Sequence, residues 1–229
     1  MPCSCCGFQH TAEQQFTAKR AAKELQDYRR RRIVRTTRLL RDGLMNARLN
    51  RGALLDIGAG VGSLTFELLD RGISNAIVVE ASSAYLAASR DEAARRGRTL
   101  SIQFVHGDFL AAPQILPRTA VVTLDRVVCC YPLYEPLLEH ALERADHSFA
   151  FSYPKDRWYV RAVAWLKNAR RSRGSAFRSF VHPAARMRQI IEAAGFALVS
   201  HRGTLAWSAD IFIRRRWRPA QSRGESSAT

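Results

Sequence analysis

Four carboxylates in the first 125 residues of this 229-residue chain stand at the ends of apolar runs: Asp56 in LLDIGAGVG, Glu80 in AIVVE, Asp108 in FVHGDF and Asp125 in VVTLDR. Short apolar runs bounded by glycine or polar residues read as buried strands, so each acid sits where a strand gives way to a turn. Three glycines, Gly58, Gly60 and Gly62, follow the first acid. Carboxylates accept hydrogen bonds and repel anions. Four of them converging on one cleft suit a ligand that carries hydroxyls and a positive charge, and they repel a pyrophosphate.

The glycine spacing narrows the choice. The dinucleotide fingerprint G-x-G-x-x-G requires a third glycine where this chain has Ser63, and the triphosphate pattern G-x-x-x-x-G-K-[ST] is absent. Glu80 follows Gly62 by 18 residues, a position from which a carboxylate accepts from ribose hydroxyls. Asp108 is placed to accept from an adenine amino group, with Phe109 beside it to pack on the ring.

The elements that must position these residues alternate. Strands are expected over 53–57, 76–80, 101–106, 120–128, 149–153, 196–200 and 207–213. Helices are expected over 62–71, 82–96, 134–144, 157–171 and 183–194, with two more over 11–32 and 33–49. Thr11 and Gln14 have capping-box spacing, and Phe16, Ala22, Leu25 and Tyr28 recur at helical intervals. Strand–helix alternation implies right-handed crossovers and a mostly parallel sheet, with ligands bound at the carboxyl ends of the strands. Residues 1–52 form a helical extension, 53–213 the main domain with an insertion at 155–182, and 214–229 a basic tail. Tyr28 and Arg35 are candidates for a lid over the cleft. Trp158, Trp165 and Phe177 are candidates for an apolar pocket wall, and Trp158, Val160, Val163, Ala164 and Leu166 read as one apolar helix side.

The net charge of +16 is uneven. Residues 1–52 hold 12 basic and 4 acidic residues, 53–154 hold 8 and 12, and 155–229 hold 16 and 4. Basic flanks attract phosphate, carboxylate or RNA, but no aromatic residues alternate with the arginines in a stacking pattern. The apolar runs fall well short of the roughly 20 residues that span a bilayer, the first residues lack a secretory pattern, and the five cysteines read as free thiols. A cytoplasmic location is the expectation. Cys3, Cys5, Cys6 and His10 are too crowded for a zinc knuckle, so no metal is expected.

D-I-G-A-G-V-G, the acid at Glu80, G-D-F and AVVTLDRVV together resemble the class I S-adenosylmethionine-dependent methyltransferases over about residues 53–213. The resemblance implies a Rossmann-like seven-stranded sheet with an antiparallel last strand and helices on both faces. It implies S-adenosylmethionine as cofactor, with Gly58 and Gly60 as backbone contacts, Asp56 near the amino group, Glu80 on ribose, Asp108 on adenine, and Asp125 onward lining the transfer site. LDRVVCCYP is most similar to small-molecule O-methyltransferases acting on tetrapyrrole acids. A small-molecule acceptor is the leading reading. An RNA methyltransferase using the arginine-rich flanks and a non-catalytic cofactor-binding module are the alternatives.

For catalysis, His182 stands as a candidate general base and Tyr131 as a residue that orients the substrate or packs on the cofactor. Cys129 and Cys130 read either as a nucleophile, which carbon-5 pyrimidine methylation needs, or as thiols lining the cleft. Proline follows this pair rather than preceding it, which favours the lining role.

Overall fold

The computed structural model describes residues 4–47, 52–111, 116–171 and 175–215, with residues 4–6 as backbone alone. The sequence at the centre of the chain forms seven strands because its apolar runs are short and end in turn residues. They are β1 (Leu54–Ile57), β2 (Ala76–Glu80), β3 (Ile102–His106), β4 (Thr119–Leu124), β5 (Ala145–Pro154), β6 (Phe196–Gly203) and β7 (Trp207–Arg214). One sheet holds all seven in the order β3-β2-β1-β4-β5-β7-β6. The first five strands pair in parallel, whereas β7 lies between β5 and β6 and runs antiparallel to both. The chain reverses its direction of travel across the sheet between β1 and β4, which opens the crevice where such sheets bind ligands.

Both faces of the sheet are covered. Leu55, Ile57, Ile77 and Val79 point to one side, into a core shared with Leu137, Leu138, Met187 and Ile191. These come from α6 (Tyr134–Arg144) and α8 (Ala184–Ala193). Leu54, Ala76, Val78 and Val121 point to the other side, against Leu40, Leu44, Leu64, Phe66 and Leu86. That layer comprises α2 (Ala18–Arg29), α3 (Arg35–Asn46), α4 (Ser63–Leu69) and α5 (Ser83–Arg95). The strands are therefore apolar on both sides rather than alternating, as a doubly covered parallel sheet requires. The stripe Ala21, Leu25 and Tyr28 seats α2; Ala21, and not Ala22, is the buried alanine. On α3, Gly43 lets the helix approach β7: a Cβ there would lie 2.7 Å from Ile211 Cγ1.

Four expectations are corrected. The segment read as one helix from Thr11 is two, α1 (Ser4–Gln15) and α2, parted at Phe16 and Thr17. Thr11 is no cap: it sits inside α1 and donates to the Gly7 carbonyl at 2.6 Å. The strand expected to reach Val128 stops at Leu124, and Val128–Cys130 form a 3-10 turn. The last strand runs to Arg214, whose guanidinium donates to the Ala145 carbonyl at 2.6 Å and stacks on Phe196, so this arginine belongs to the sheet. Residues 216–229 of the expected tail lie outside the described residues.

Glu92 on α5 ties α2 to the domain. Its buried carboxylate accepts from Arg29, Arg95 and Arg96 at 2.5–2.9 Å. Burial alone would raise its pKa, but the three guanidiniums outweigh that and hold it at about 2, below the ordinary 4.5. A depressed carboxyl contributes stability above its unfolded pKa and loses it as pH falls through the folded value. Glu92→Gln is therefore expected to lower the thermal midpoint at pH 7 by roughly 5–10 °C. The gap between parent and variant should close as the pH falls from 4.5 toward 2, which melts across that range will check.

Candidate functional site

The glycine turn after β1 is held in shape from behind. Gly58, Gly60 and Gly62 have φ of 63°, 61° and 82°, the left-handed region that side chains disfavour. A Cβ on Gly58 would lie 2.6 Å from Val127, and one on Gly62 2.6 Å from Ser89. Gly62 therefore serves helix packing, and Ser63 opens α4 directly after it.

Asp56 is beneath the turn and not on the cavity wall. Its two oxygens accept from Thr65 Oγ1 at 2.6 Å and Thr123 Oγ1 at 2.7 Å. Burial pushes its carboxyl up to about 7. The expected contact of Asp56 with a ligand's amino group is thus corrected: it clamps β1, α4 and β4 together.

Glu80 does face the cavity. One of its oxygens accepts from the backbone N–H of Gly60 at 2.8 Å and the other from that of Ser82 at 2.9 Å. Each oxygen keeps acceptor capacity for a hydroxyl. Burial raises the Glu80 pKa above its ordinary value. Asp108, in the turn after β3, is also raised by burial. It accepts from the Tyr131 hydroxyl at 2.7 and 2.8 Å and from the Leu110 N–H at 3.3 Å. Phe109 lies on the same wall. Asp125, after β4, accepts from Thr37 at 2.5 Å and Ser152 at 2.6 Å.

Glu80, Asp108, Phe109, Asp125, Tyr131, Gly58 and Gly60 thus share one cavity of about 250 Å³. The remaining wall was not legible in the sequence. Phe8 and Ala12 of α1, Phe16 between the helices and Glu24 of α2 close one side. Glu13 anchors this roof by accepting from the Ser83 N–H at 3.0 Å, at the N-terminus of α5, and by pairing with His106 at 3.0 Å. Phe16 is fixed by its carbonyl, which accepts from Ser82 Oγ at 2.7 Å. The lid residues are therefore not Tyr28 and Arg35. Tyr28 is buried on Phe66 away from the cavity, and Arg35 is exposed. Arg126 joins the wall with φ of 62° and pairs with Glu24 at 3.0 Å, while its buried Nε has no hydrogen-bond partner.

His182 is not positioned as a general base. Its ring is buried, stacked on Tyr134 at 4.1 Å and on Phe180, and outside the cavity wall. Its Nε2 lies 3.0 Å from the Tyr131 carbonyl, a contact in which the imidazole must donate. Burial lowers its pKa. His182 supports the turn that carries Tyr131, and the Tyr131 hydroxyl in turn is committed to Asp108. Cys129 and Cys130 both line the cavity with sulfurs 3.4 Å apart. The hydrogen bond between the two sulfurs, with burial, raises the Cys129 thiol, whereas the same bond lowers that of Cys130; Cys129 therefore suits a neutral wall group, and Cys130 is the more thiolate-like of the two. Phe177 is buried edge-on to Phe16 at 5.4 Å, one layer behind the wall. Trp158 and Trp165 point away into solvent, which corrects the expected pocket wall. Among the described residues, no three His, Cys, Asp or Glu side chains are grouped to hold a metal. Cys3, Cys5 and Cys6 lie outside the described side chains.

Residues 54–149 match the model of a family described as a methyltransferase domain. A search of curated proteins found no match. Among solved structures, the magnesium protoporphyrin IX methyltransferase ChlM of Synechocystis PCC 6803 with bound SAH is similar at a TM-score of 0.64 and 18% identity, over 79% of this chain and 82% of that one. A putative sarcosine dimethylglycine methyltransferase from Galdieria sulphuraria reaches 0.63 at 10% identity, over 79% and 85%. The [4+2]-cyclase SpnF reaches 0.59 at 12% identity, over 78% and 80%. At these identities the likeness is one of fold. Residues 54–149 thus match a methyltransferase-domain model, and the seven-stranded sheet has the fold of the S-adenosylmethionine-dependent methyltransferase structures it resembles.

Proposed function

We propose that this protein is an S-adenosylmethionine-dependent methyltransferase that acts on a small-molecule acceptor at oxygen or nitrogen. The observation that carries this reading is the roofed cavity, with Glu80 and Asp108 on its wall and the N-terminal helices closing it. The donor set fits the cofactor. Glu80 keeps lone pairs for ribose hydroxyls, Asp108 accepts from an exocyclic amine, and Phe109 supplies an apolar face. The surrounding carboxylates favour a sulfonium and disfavour phosphates.

When bound, S-adenosylmethionine supplies an electrophilic methyl carbon. The chain's own residues align and shield. Glu80 and Asp108 would fix the nucleoside end, and Tyr131 would keep the Asp108 carboxylate turned toward it. Phe8, Phe16 and Phe109 would exclude water, which matters because alignment and desolvation supply most of such a rate enhancement. Arg126, with its unpaired Nε, would donate to an anionic group on the acceptor. No imidazole or amine is among the described cavity-lining residues. A base for the acceptor's proton would then be a carboxylate or thiol of this wall, and an acceptor already ionised, or a neutral amine, needs none.

The small-molecule reading also draws on the fold neighbours, since ChlM and the Galdieria protein are methyltransferases of small molecules by name. SpnF is named as a cyclase on the same fold, so methyl transfer has to be measured directly.

Three outcomes test the proposal. Incubated with methyl-labelled S-adenosylmethionine and, separately, a metabolite extract and total RNA, the protein should label the low-mass fraction. Label in RNA would sink the small-molecule reading, and tight cofactor binding without labelling of either would leave a binding module. In calorimetry, Glu80→Ala should weaken S-adenosylmethionine binding roughly 30-fold, the worth of a hydrogen bond to a charged group. Unchanged affinity in a folded variant would remove Glu80 from the site. Because burial raises both the Glu80 and Asp108 carboxyls, they take up protons at a higher pH than ordinary carboxyls do, and affinity should fall as the pH is lowered.

A further inference from the structure

The helix α7 (Trp158–Ala169) follows β5 and belongs to none of the functions above. Its sequence has an apolar stripe, but the stripe faces outward. Trp158, Ala162, Trp165 and Ala169 fall at i, i+4, i+7 and i+11, one line along a helix. Trp158 is 81% exposed and Trp165 71%. Tyr159, Val163 and Leu166 adjoin the line and are exposed as well. Val160 is the buried residue of the helix. The protein-facing side is pinned by Asn168, which donates to the Ser179 carbonyl and accepts from the Ser179 N–H, both at 2.9 Å. The helix is therefore held with its tryptophans outward. Leu205, at the β6–β7 turn and 86% exposed, extends the patch, because its carbonyl accepts from the Tyr159 hydroxyl at 2.7 Å.

The rim of this patch is basic. Residues 155–171 carry six Lys and Arg and one acid, Asp156, which pairs with Arg161 at 2.6 Å. Lys155, Arg157, Lys167, Arg170 and Arg171 are the further cations on this segment. Tryptophans flanked by Lys and Arg on a short helix are the composition of an interfacial helix, with rings at headgroup depth and cations on anionic lipid. At 12 residues the helix is about 18 Å long, too short to cross a bilayer. Two copies meeting through this face would oppose one basic rim to another, which like-charge repulsion disfavours.

We propose that the outer face of α7, with Leu205, docks the protein onto an anionic lipid bilayer surface. The test uses the intact chain with vesicles of phosphatidylcholine alone and with one-third phosphatidylglycerol, read by co-sedimentation and tryptophan emission. Binding to the anionic vesicles should exceed that to neutral ones at least about tenfold, and should weaken on raising salt to about 0.5 M. The double variant Trp158→Ala/Trp165→Ala, altered only at exposed positions, should keep the parent melting midpoint and lose roughly tenfold or more of the anionic binding. Equal binding to both vesicle types, or none to the anionic ones, would overturn the proposal. So would binding that the double variant retains, which would assign the attraction to the general basic surface. A dimer that the double variant abolishes would assign the patch to a second copy and overturn it equally.

Discussion

The Glu80 carboxylate joins two turns that are far apart in sequence. One oxygen holds the Gly60 N–H of the turn after β1, and the other holds the Ser82 N–H that opens α5. The glycine turn therefore takes its shape from the neighbouring strand as well as from its own φ angles. Parallel pairing puts Ile57 level with Val79, so Glu80 arrives beside Gly58 and Gly60 by register alone. The burial cost on the carboxylate is partly offset by these two backbone donors. The same group that shapes the turn presents its remaining lone pairs to the cavity, so fold and binding wall depend on one side chain.

Around that link the carboxylates divide their work. Asp56 is wholly internal, tied to Thr65 and Thr123. Asp108 is half committed to Tyr131, whose turn His182 supports. Asp125 links α3 to β5 through Thr37 and Ser152. Acids of one type at equivalent strand ends thus range from structural clamp to cavity wall, according to how many donors the fold places behind each.

Much of this was legible in the sequence. Buried parallel strands announce themselves as short apolar runs, so β2 and α6 match their expected bounds of 76–80 and 134–144. The cavity residues Glu80, Asp108 and Phe109 come together because strand-end position is a local property. What was not legible depends on tertiary placement. The roof of Phe8, Phe16 and Glu24 requires α1 to cross over the carboxyl end of the sheet, held by Glu13 on Ser83; no local pattern encodes that. Thr11 fits a capping pattern that the longer helix overrode. His182 looked chemical because it is a lone histidine at a helix entry, yet the surrounding rings and carbonyls use it for packing. On α7 the periodicity was real, but period alone does not tell which side of a helix meets the protein.

The placement of β7 has a consequence for the order in which this chain can mature. Strand β7 comes last among the described elements, yet it lies between β5 and β6 and packs under α3, with Ile211 against Gly43. During synthesis the β5 edge and the inner face of α3 must wait uncovered until residues 207–214 have left the ribosome. These are contacts of long sequence separation, slow to form and exposed to mispairing meanwhile. The chain is thus most vulnerable in the interval before β7 emerges, and a truncation a dozen residues before β7 ends would unseat α3, which Thr37 joins to the site through Asp125.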